Sequence, residues 1–252
     1  MKRIVIYIVA LFVALSVSAS TTSAERWEAG NKAYIEGNYD KAIEEYSAIL
    51  EGGEYSMKLY YNLANAYFKK ESIGKSILYY NKALRIAPSE EDVRHNLAIA
   101  EAQTKDRIAV IPEFFLNRWL RTLRNSMSCT AWSVLSLVAF GLLLACALLF
   151  LLASRLPWRK SGFYGALCAF VLFVAMTSFA VSARNDMLLH EEAIVMGSAI
   201  SVKSSPDRSA TDLFVLHEGT KVKVLSEVDE WCEVVIADGK KGWTLESNIE
   251  EI

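Results

Sequence analysis

The chain reads as a multidomain membrane protein with three parts: an α-helical repeat array, a two-helix hairpin that crosses a membrane, and a small all-β barrel. Three observations predict this. Residues 131–153 and 163–183 are two apolar runs without Asp, Glu, Lys or Arg. A motif recurs at a spacing of 34 residues before them. After them the pattern switches to alternation with period two.

The apolar runs come first in the argument because they fix the geometry of everything else. Each has about the 20 residues that span a hydrocarbon core of about 30 Å. A soluble core helix is seldom apolar on every side for that length. The linker between them, Ser154–Gly162, is too short to hold a domain and contains Pro157, expected here to break the helix. A hairpin returns the chain to its starting side, so the parts before and after it share one face of the membrane. Gly141 and Ala145, at small-x-x-x-small spacing, are candidates for close helix packing.

Composition sets outer bounds. In 252 residues there is room for two small modules besides the hairpin, and the 53% hydrophobic content follows from the spans. A net charge of -2 supplies no field for nucleic acid. Cys129, Cys146, Cys168 and Cys232 have no metal-ligand or C-x-x-C spacing, so no metal, cofactor or disulfide framework is expected.

At the start, Lys2 and Arg3 precede an apolar run to Val17, and small residues up to Ala24 follow. That three-part order is the pattern of an export signal over residues 1–24. Export then sets the topology. The modules are then expected outside the cytoplasm. Arg155, Arg159 and Lys160 in the connecting loop agree with the positive-inside bias. Arg118, Arg121 and Arg124 disagree with it, but they recur at i+3 beside Phe114, Phe115, Trp119, Leu120 and Leu123. This spacing predicts an interfacial amphipathic helix over 112–126, opened by Pro112.

Residues 25–107 carry the repeat. Asn62-Leu63-Ala64 returns as Asn96-Leu97-Ala98, and Gly37–Ile43 aligns with Glu71–Ile77. The expected helices are 25–36, 39–51, 56–70, 73–86 and 90–106, with Pro88 closing the second unit. The pattern resembles the tetratricopeptide repeat, whose small and aromatic residues sit at fixed positions. The third unit matches only in its first helix, which therefore reads as a cap. The resemblance implies a groove lined by the first helix of each unit, toward which Trp27, Asn31, Tyr34, Tyr61, Asn65, Lys69 and His95 project. Asn side chains there suit the backbone of an extended peptide, and the aromatics suit apolar side chains. They also suit packing against neighbouring helices. The groove lacks the paired basic residues that would clamp a terminal carboxylate.

Residues 190–252 read as six short strands over 193–196, 200–203, 212–216, 220–225, 231–236 and 242–245, separated by turn signals. The order strand, Glu218-Gly219-Thr220 turn, strand, Trp231, Asp238-Gly239 hairpin, Gly242-Trp243 resembles the bacterial SH3 fold. The resemblance implies a shallow groove at Trp231 and Trp243, with wall peptides, protein segments or a purely structural role as its uses. Cys232 alternates with Val234 and Ile236, which places it in a core. The histidines, His95, His190 and His217, stand elsewhere in the sequence, so no catalytic thiol is read here.

Taken in order, the modules resemble the BatE proteins of the aerotolerance (Bat) operon. That resemblance implies an inner-membrane protein with its modules in the periplasm, protein partners with von Willebrand A domains, a MoxR-type ATPase system, and a role in oxidative-stress tolerance or envelope assembly. The sequence contains no catalytic cluster, so the expected function is a non-enzymatic membrane scaffold. A peptidoglycan-binding anchor is the alternative.

Overall fold

The computed structural model describes residues 23–109, 114–188 and 192–252. The export signal expected over 1–24 lies almost wholly outside them, as do Pro112 and His190.

The repeat array consists of α1 (residues 23–35), α2 (Tyr39–Glu51), α3 (Met57–Lys69), α4 (Ile73–Ile86) and α5 (Glu91–Glu101). Local chemistry starts these helices. Asn38 caps α2 by accepting from the Lys41 N–H, and Ser56 caps α3 by accepting from the Leu59 N–H, each at 3.2 Å. The turn before each second helix needs a left-handed residue. Gly37 supplies it in the first unit (φ 78°), and Glu71, 34 residues on, supplies it in the second (φ 61°). Ala42, Tyr46 and Ile49 of the first unit pack with Leu63 and Ala66 of α3, and Ile77, Leu78, Tyr80 and Ala83 of α4 pack toward α5.

α5 ends at Glu101, five residues before the expected limit of 106. Tertiary contacts override the helical pattern there. Asp106 is drawn into hydrogen bonds with the C-terminal module, and Ile108 packs against that module's core.

α6 (Phe115–Arg124) is a short amphipathic helix within the expected 112–126. α7 (Cys129–Leu152) and α8 (Leu156–Leu188) form an antiparallel pair, each long and apolar enough to cross a membrane. Their outward side chains are bare: Leu137 is 70% exposed and Leu151 72%. A core helix of a soluble protein would bury them. α8 exceeds the predicted 163–183 at both ends; at its N-terminal end Pro157 is the second residue and does not break it. In the first turn a missing N–H has no intrahelical partner to lose.

The seam of the hairpin also differs from expectation. Gly141 faces open space. The close approach is at Gly162, where a Cβ would stand 2.6 Å from the Phe150 nitrogen, and at Gly165, 2.9 Å from Cys146 Sγ. Trp132, Ser136 and Ala139 on α7 and Ala169 on α8 are buried in this seam, and the Ser136 and Thr177 hydroxyls bond at 2.7 Å. Small residues let backbones meet where no water drives association.

The C-terminal module is one antiparallel sheet of seven strands: β1 (Glu192–Val195), β2 (Ile200–Lys203), β3 (Asp212–Leu216), β4 (Lys221–Val228), β5 (Trp231–Val235), β6 (Lys241–Leu245) and β7 (Ile249–Glu251). Their order is β3-β2-β6-β5-β4-β1-β7. The sheet curls round a single core of Ala193, Val195, Val202, Leu216, Val222, Cys232 and Val234. The sequence reading missed β7. It is short, lies beyond the last aromatic signal, and exists because it pairs with β1.

Candidate functional site

The first helices of the repeat units carry a hydrogen-bonded ladder that repeats with the sequence. The Tyr46 hydroxyl donates to Asn31 Oδ1 at 2.8 Å, and Asn62 of the next unit donates to the same oxygen at 3.1 Å. Thirty-four residues on, Tyr80 donates to Asn65 Oδ1, and Asn96 donates to it at 3.0 Å. Asn96 also donates to the Tyr61 hydroxyl at 3.0 Å. Burial raises the pKa of Tyr46 and of Tyr80, so both phenols stay protonated donors at neutral pH.

Of the seven groove residues expected from the sequence, the ladder therefore holds Asn31, Asn65 and Tyr61. Trp27 leans on the core, its ring 5.7 Å from that of Tyr46, and Tyr34 packs edge-on to Tyr39 at 5.5 Å. Lys69 and His95 are exposed. Asn31 and Asn65 use their carbonyl oxygens internally. The Nδ2 of these two has no acceptor among the described residues. An extended peptide offers carbonyls that such amides can take.

On the barrel, Trp231 and Trp243 share one face of β5 and β6. Trp231 stands opposite Leu245 and Trp243 opposite Glu233, so the two indoles are diagonal neighbours. Trp231 is 7% exposed, while Trp243 is half-buried. Cys232 points to the opposite side, into the core, and burial with nearby Glu227, Glu246 and Glu251 pushes its thiol up to about 11. Such a thiol is protonated at neutral pH and is no nucleophile.

A further constellation was not foreseen from the sequence: the two modules are seated against each other. Asp106, after α5, accepts from the His217 backbone N–H at 2.7 Å and from the Thr220 hydroxyl at 2.6 Å through Oδ2, and its Oδ1 meets His217 Nδ1 at 2.7 Å. Burial alone would raise this carboxyl, but the bonds from Thr220 and His217 outweigh it and hold the pKa below the usual carboxylate range. Glu218 accepts from the Gly74 N–H at 2.8 Å and so caps α4, whose own Ser72 makes no side-chain cap. Lys75 pairs with Glu250. Ile194 and Ile252 of the barrel enter the core of the second and third units, beside Ile77, Val93 and Ala100.

Gly219 sits at the centre of this seat at φ 86°, and a Cβ there would meet Thr104 at 2.8 Å and Ile77 at 3.0 Å. One signal for the seat was present in the sequence. The second unit has Ser72 and Gly74 where the first has the capping Asn38 and Asp40, so α4 lacks an acid of its own in its first turn.

Comparison with known families agrees with these two modules. The family described as bacterial SH3 domain matches residues 198–250, and the family described as tetratricopeptide repeat matches residues 58–90, the second unit. No curated protein matches the chain at a significant level.

Proposed function

We propose that the chain is a membrane-anchored scaffold whose repeat array and barrel bind protein partners together, as one seated unit at one end of the hairpin. The observation that carries this reading is the seat. Both modules belong to binding folds, and Asp106, Glu218 and Ile252 fix one against the other. A partner that touches both surfaces makes its second contact intramolecularly, so two weak contacts sum to a stable one. In the groove, Trp27, Asn31, Tyr34, Tyr61, Asn65, Lys69 and His95 receive an extended segment, with the asparagine amides on its carbonyls. On the barrel, Trp231 and Trp243 mark the second surface.

The order of modules, similar to that of BatE proteins, supports von Willebrand A-domain partners and a MoxR-type ATPase system. It also supports a role in aerotolerance. The export signal and the basic loop residues Arg155, Arg159 and Lys160 support an inner-membrane anchor with both modules in the periplasm. A reporter enzyme that works only in the cytosol, fused after Ile252, is expected to stay inactive; activity would reverse the orientation.

The binding test is recovery of cross-linked partners from native membranes by the full chain. Removing a whole module would lay bare Ile194 and Ile252 or the α4 face beneath them, so point variants are the sounder probe. Lys69→Glu with His95→Glu, and separately Trp243→Ala, are expected to lower recovery. Undiminished recovery in both overturns the scaffold reading. Co-sedimentation of the full chain with purified wall sacculi, lost in Trp243→Ala, would instead assign the barrel to peptidoglycan.

A further inference from the structure

From Phe114 to Leu123 every residue is exposed, on all sides of α6. The helix has 10 residues. Isolated helices shorter than about 12–15 residues are marginal in water, so α6 needs a surface to lie on. At 3.6 residues per turn, Phe115, Leu116, Trp119, Leu120 and Leu123 cover about 140° of its circumference, and Asn117, Arg118, Arg121 and Thr122 stand outside that arc. The apolar arc is uncovered by the rest of the chain. Phe115 is 71% exposed, as bare as Leu137 on the flank of the hairpin.

The bonds at the C-terminal end of α6 indicate which surface covers it. The Trp132 indole, in the first turn of α7, donates to the Arg124 carbonyl at 2.8 Å, and Arg124 Nη1 donates to Ser182 Oγ of α8 at 3.0 Å. Two residues beyond Trp132, about 3 Å along the axis, the exposed apolar flank of α7 begins at Val134. Val181, beside Ser182, opens the same flank on α8. α6 is therefore held at the level where the hairpin becomes apolar outside. In a bilayer that level is the boundary between headgroups and acyl chains. A helix with one apolar face lies in this boundary, apolar side inward. Trp119 is of the residue type enriched there. α6 also contains no Asp or Glu for an anionic leaflet to repel.

We propose that the apolar face of α6 is buried in the leaflet where the hairpin begins, as a third membrane contact beside α7 and α8. Acyl chains cover the five side chains that the protein leaves bare. The Asn125 carbonyl, just past the helix, accepts from Arg94 of α5 at 3.5 Å, so the hold of the leaflet on α6 passes to the repeat array. The proposal rests on the membrane-anchored reading above, and on neither binding surface of the modules.

The test uses the full chain in vesicles of phosphatidylethanolamine and phosphatidylglycerol. Photoreactive p-benzoylphenylalanine replaces one residue at a time: Phe115 or Trp119 on the apolar face, Asn117 or Thr122 on the polar face, and Leu137 on the hairpin as reference. At Phe115 and Trp119 an aromatic replaces an aromatic, so the fold is kept. After illumination, mass spectrometry identifies what each site has captured. Phospholipid adducts are expected at Phe115 and Trp119, within about threefold of the Leu137 yield and about fivefold or more above Asn117 and Thr122. Hydrogen exchange in the same vesicles is the second measurement. Trp119→Asp is expected to speed exchange of the α6 amides about tenfold or more, with those in the middle of α7 unchanged.

Lipid captured at Leu137 but not at Phe115 or Trp119 overturns the proposal and leaves the anchor standing. A lack of lipid at Leu137 as well refutes the anchor, and the proposal with it. Equal lipid yields on the two faces of α6 also overturn it, as does α6 exchange that Trp119→Asp leaves unmoved. Capture of a second copy, or of another part of the chain, in place of lipid would give the apolar face to protein and overturn it too.

Discussion

Asp106→Ala is the substitution that most directly weighs the seat between the modules. The carboxylate accepts three hydrogen bonds, two from His217 and one from Thr220, at 2.6–2.7 Å. Thr220 is 6% exposed and the Asp106 side chain 15%, so water replaces the lost acceptor poorly for the Thr220 hydroxyl and the His217 N–H. The imidazole, 31% exposed, recovers water and is counted as nothing. Two stranded donors at about 1–3 kcal/mol each give about 2–6 kcal/mol in all. Glu218 on Gly74, Lys75 with Glu250, and Ile252 in the repeat core remain, so the modules stay together but open more often. Hydrogen exchange of the full chain reads such local opening directly. Amides in the first turn of α4 and at the β3–β4 turn are expected to exchange about thirtyfold faster or more, with α1 and α2 unchanged. Combined with Thr220→Val the effects should be strongly non-additive, because the two residues share one bond. Exchange within about threefold of wild type at α4, or additive effects in the cycle, would show that the seat has no energetic meaning.

Acid should open the same seat within a defined window. A carboxyl whose pKa is depressed in the folded state contributes fully above its unfolded value of about 3.9, and the contribution is lost as pH falls toward and through the lower folded value. Energy transfer between dyes on array and barrel should therefore hold at pH 5 and fall below about pH 4; a fall near neutrality would assign control to another group. Ser76→Ala should stabilise the array by about 1 kcal/mol in chemical denaturation. Ser76 Oγ is fully buried and makes no hydrogen bond of good geometry, although it lies near the Tyr80 hydroxyl, and the first unit has Ala42 in its place. Glu71→Gly should add about 0.5–1 kcal/mol by relieving a left-handed residue where the first unit uses Gly37. Gly162→Leu should splay the hairpin, since even a Cβ would stand 2.6 Å from the Phe150 nitrogen, whereas Gly141→Leu should not; disulfide trapping across the seam compares the two.

What the sequence disclosed was whatever it wrote with a period. Asn31 and Asn65, Tyr46 and Tyr80, Asn62 and Asn96 each repeat at 34, and the ladder they build repeats with them. The barrel strands showed as alternation and the hairpin as uninterrupted apolar length. What stayed hidden depended on single residues far apart in the chain. Asp106 meets Thr220 across 114 positions, and Gly74 meets Glu218 across 144. Neither pair belongs to a pattern. The early end of α5 follows from the first of them, since a helix continued to 106 would carry Asp106 away from the barrel. Pro157 misled for a local reason: its cost depends on where in a helix it falls, and that boundary was set by the packing of α8 on α7.

The seat decides what kind of scaffold the proposed function requires. Two modules on flexible tethers search a volume, and their effective concentration falls off with linker length. Here residues 102–109 carry Asp106 and Ile108 directly into the barrel, and Ile252 closes the contact from the other side. The distance between the asparagine ladder and the Trp231–Trp243 face is then a property of the fold. A partner bridging both surfaces must match that distance, and gains rigidity rather than reach. Variants that open the seat without touching either surface, such as Asp106→Ala, should therefore weaken capture of a bridging partner while leaving short single-surface ligands bound as before. If both losses were equal, the modules would be acting separately and the seat would serve stability alone.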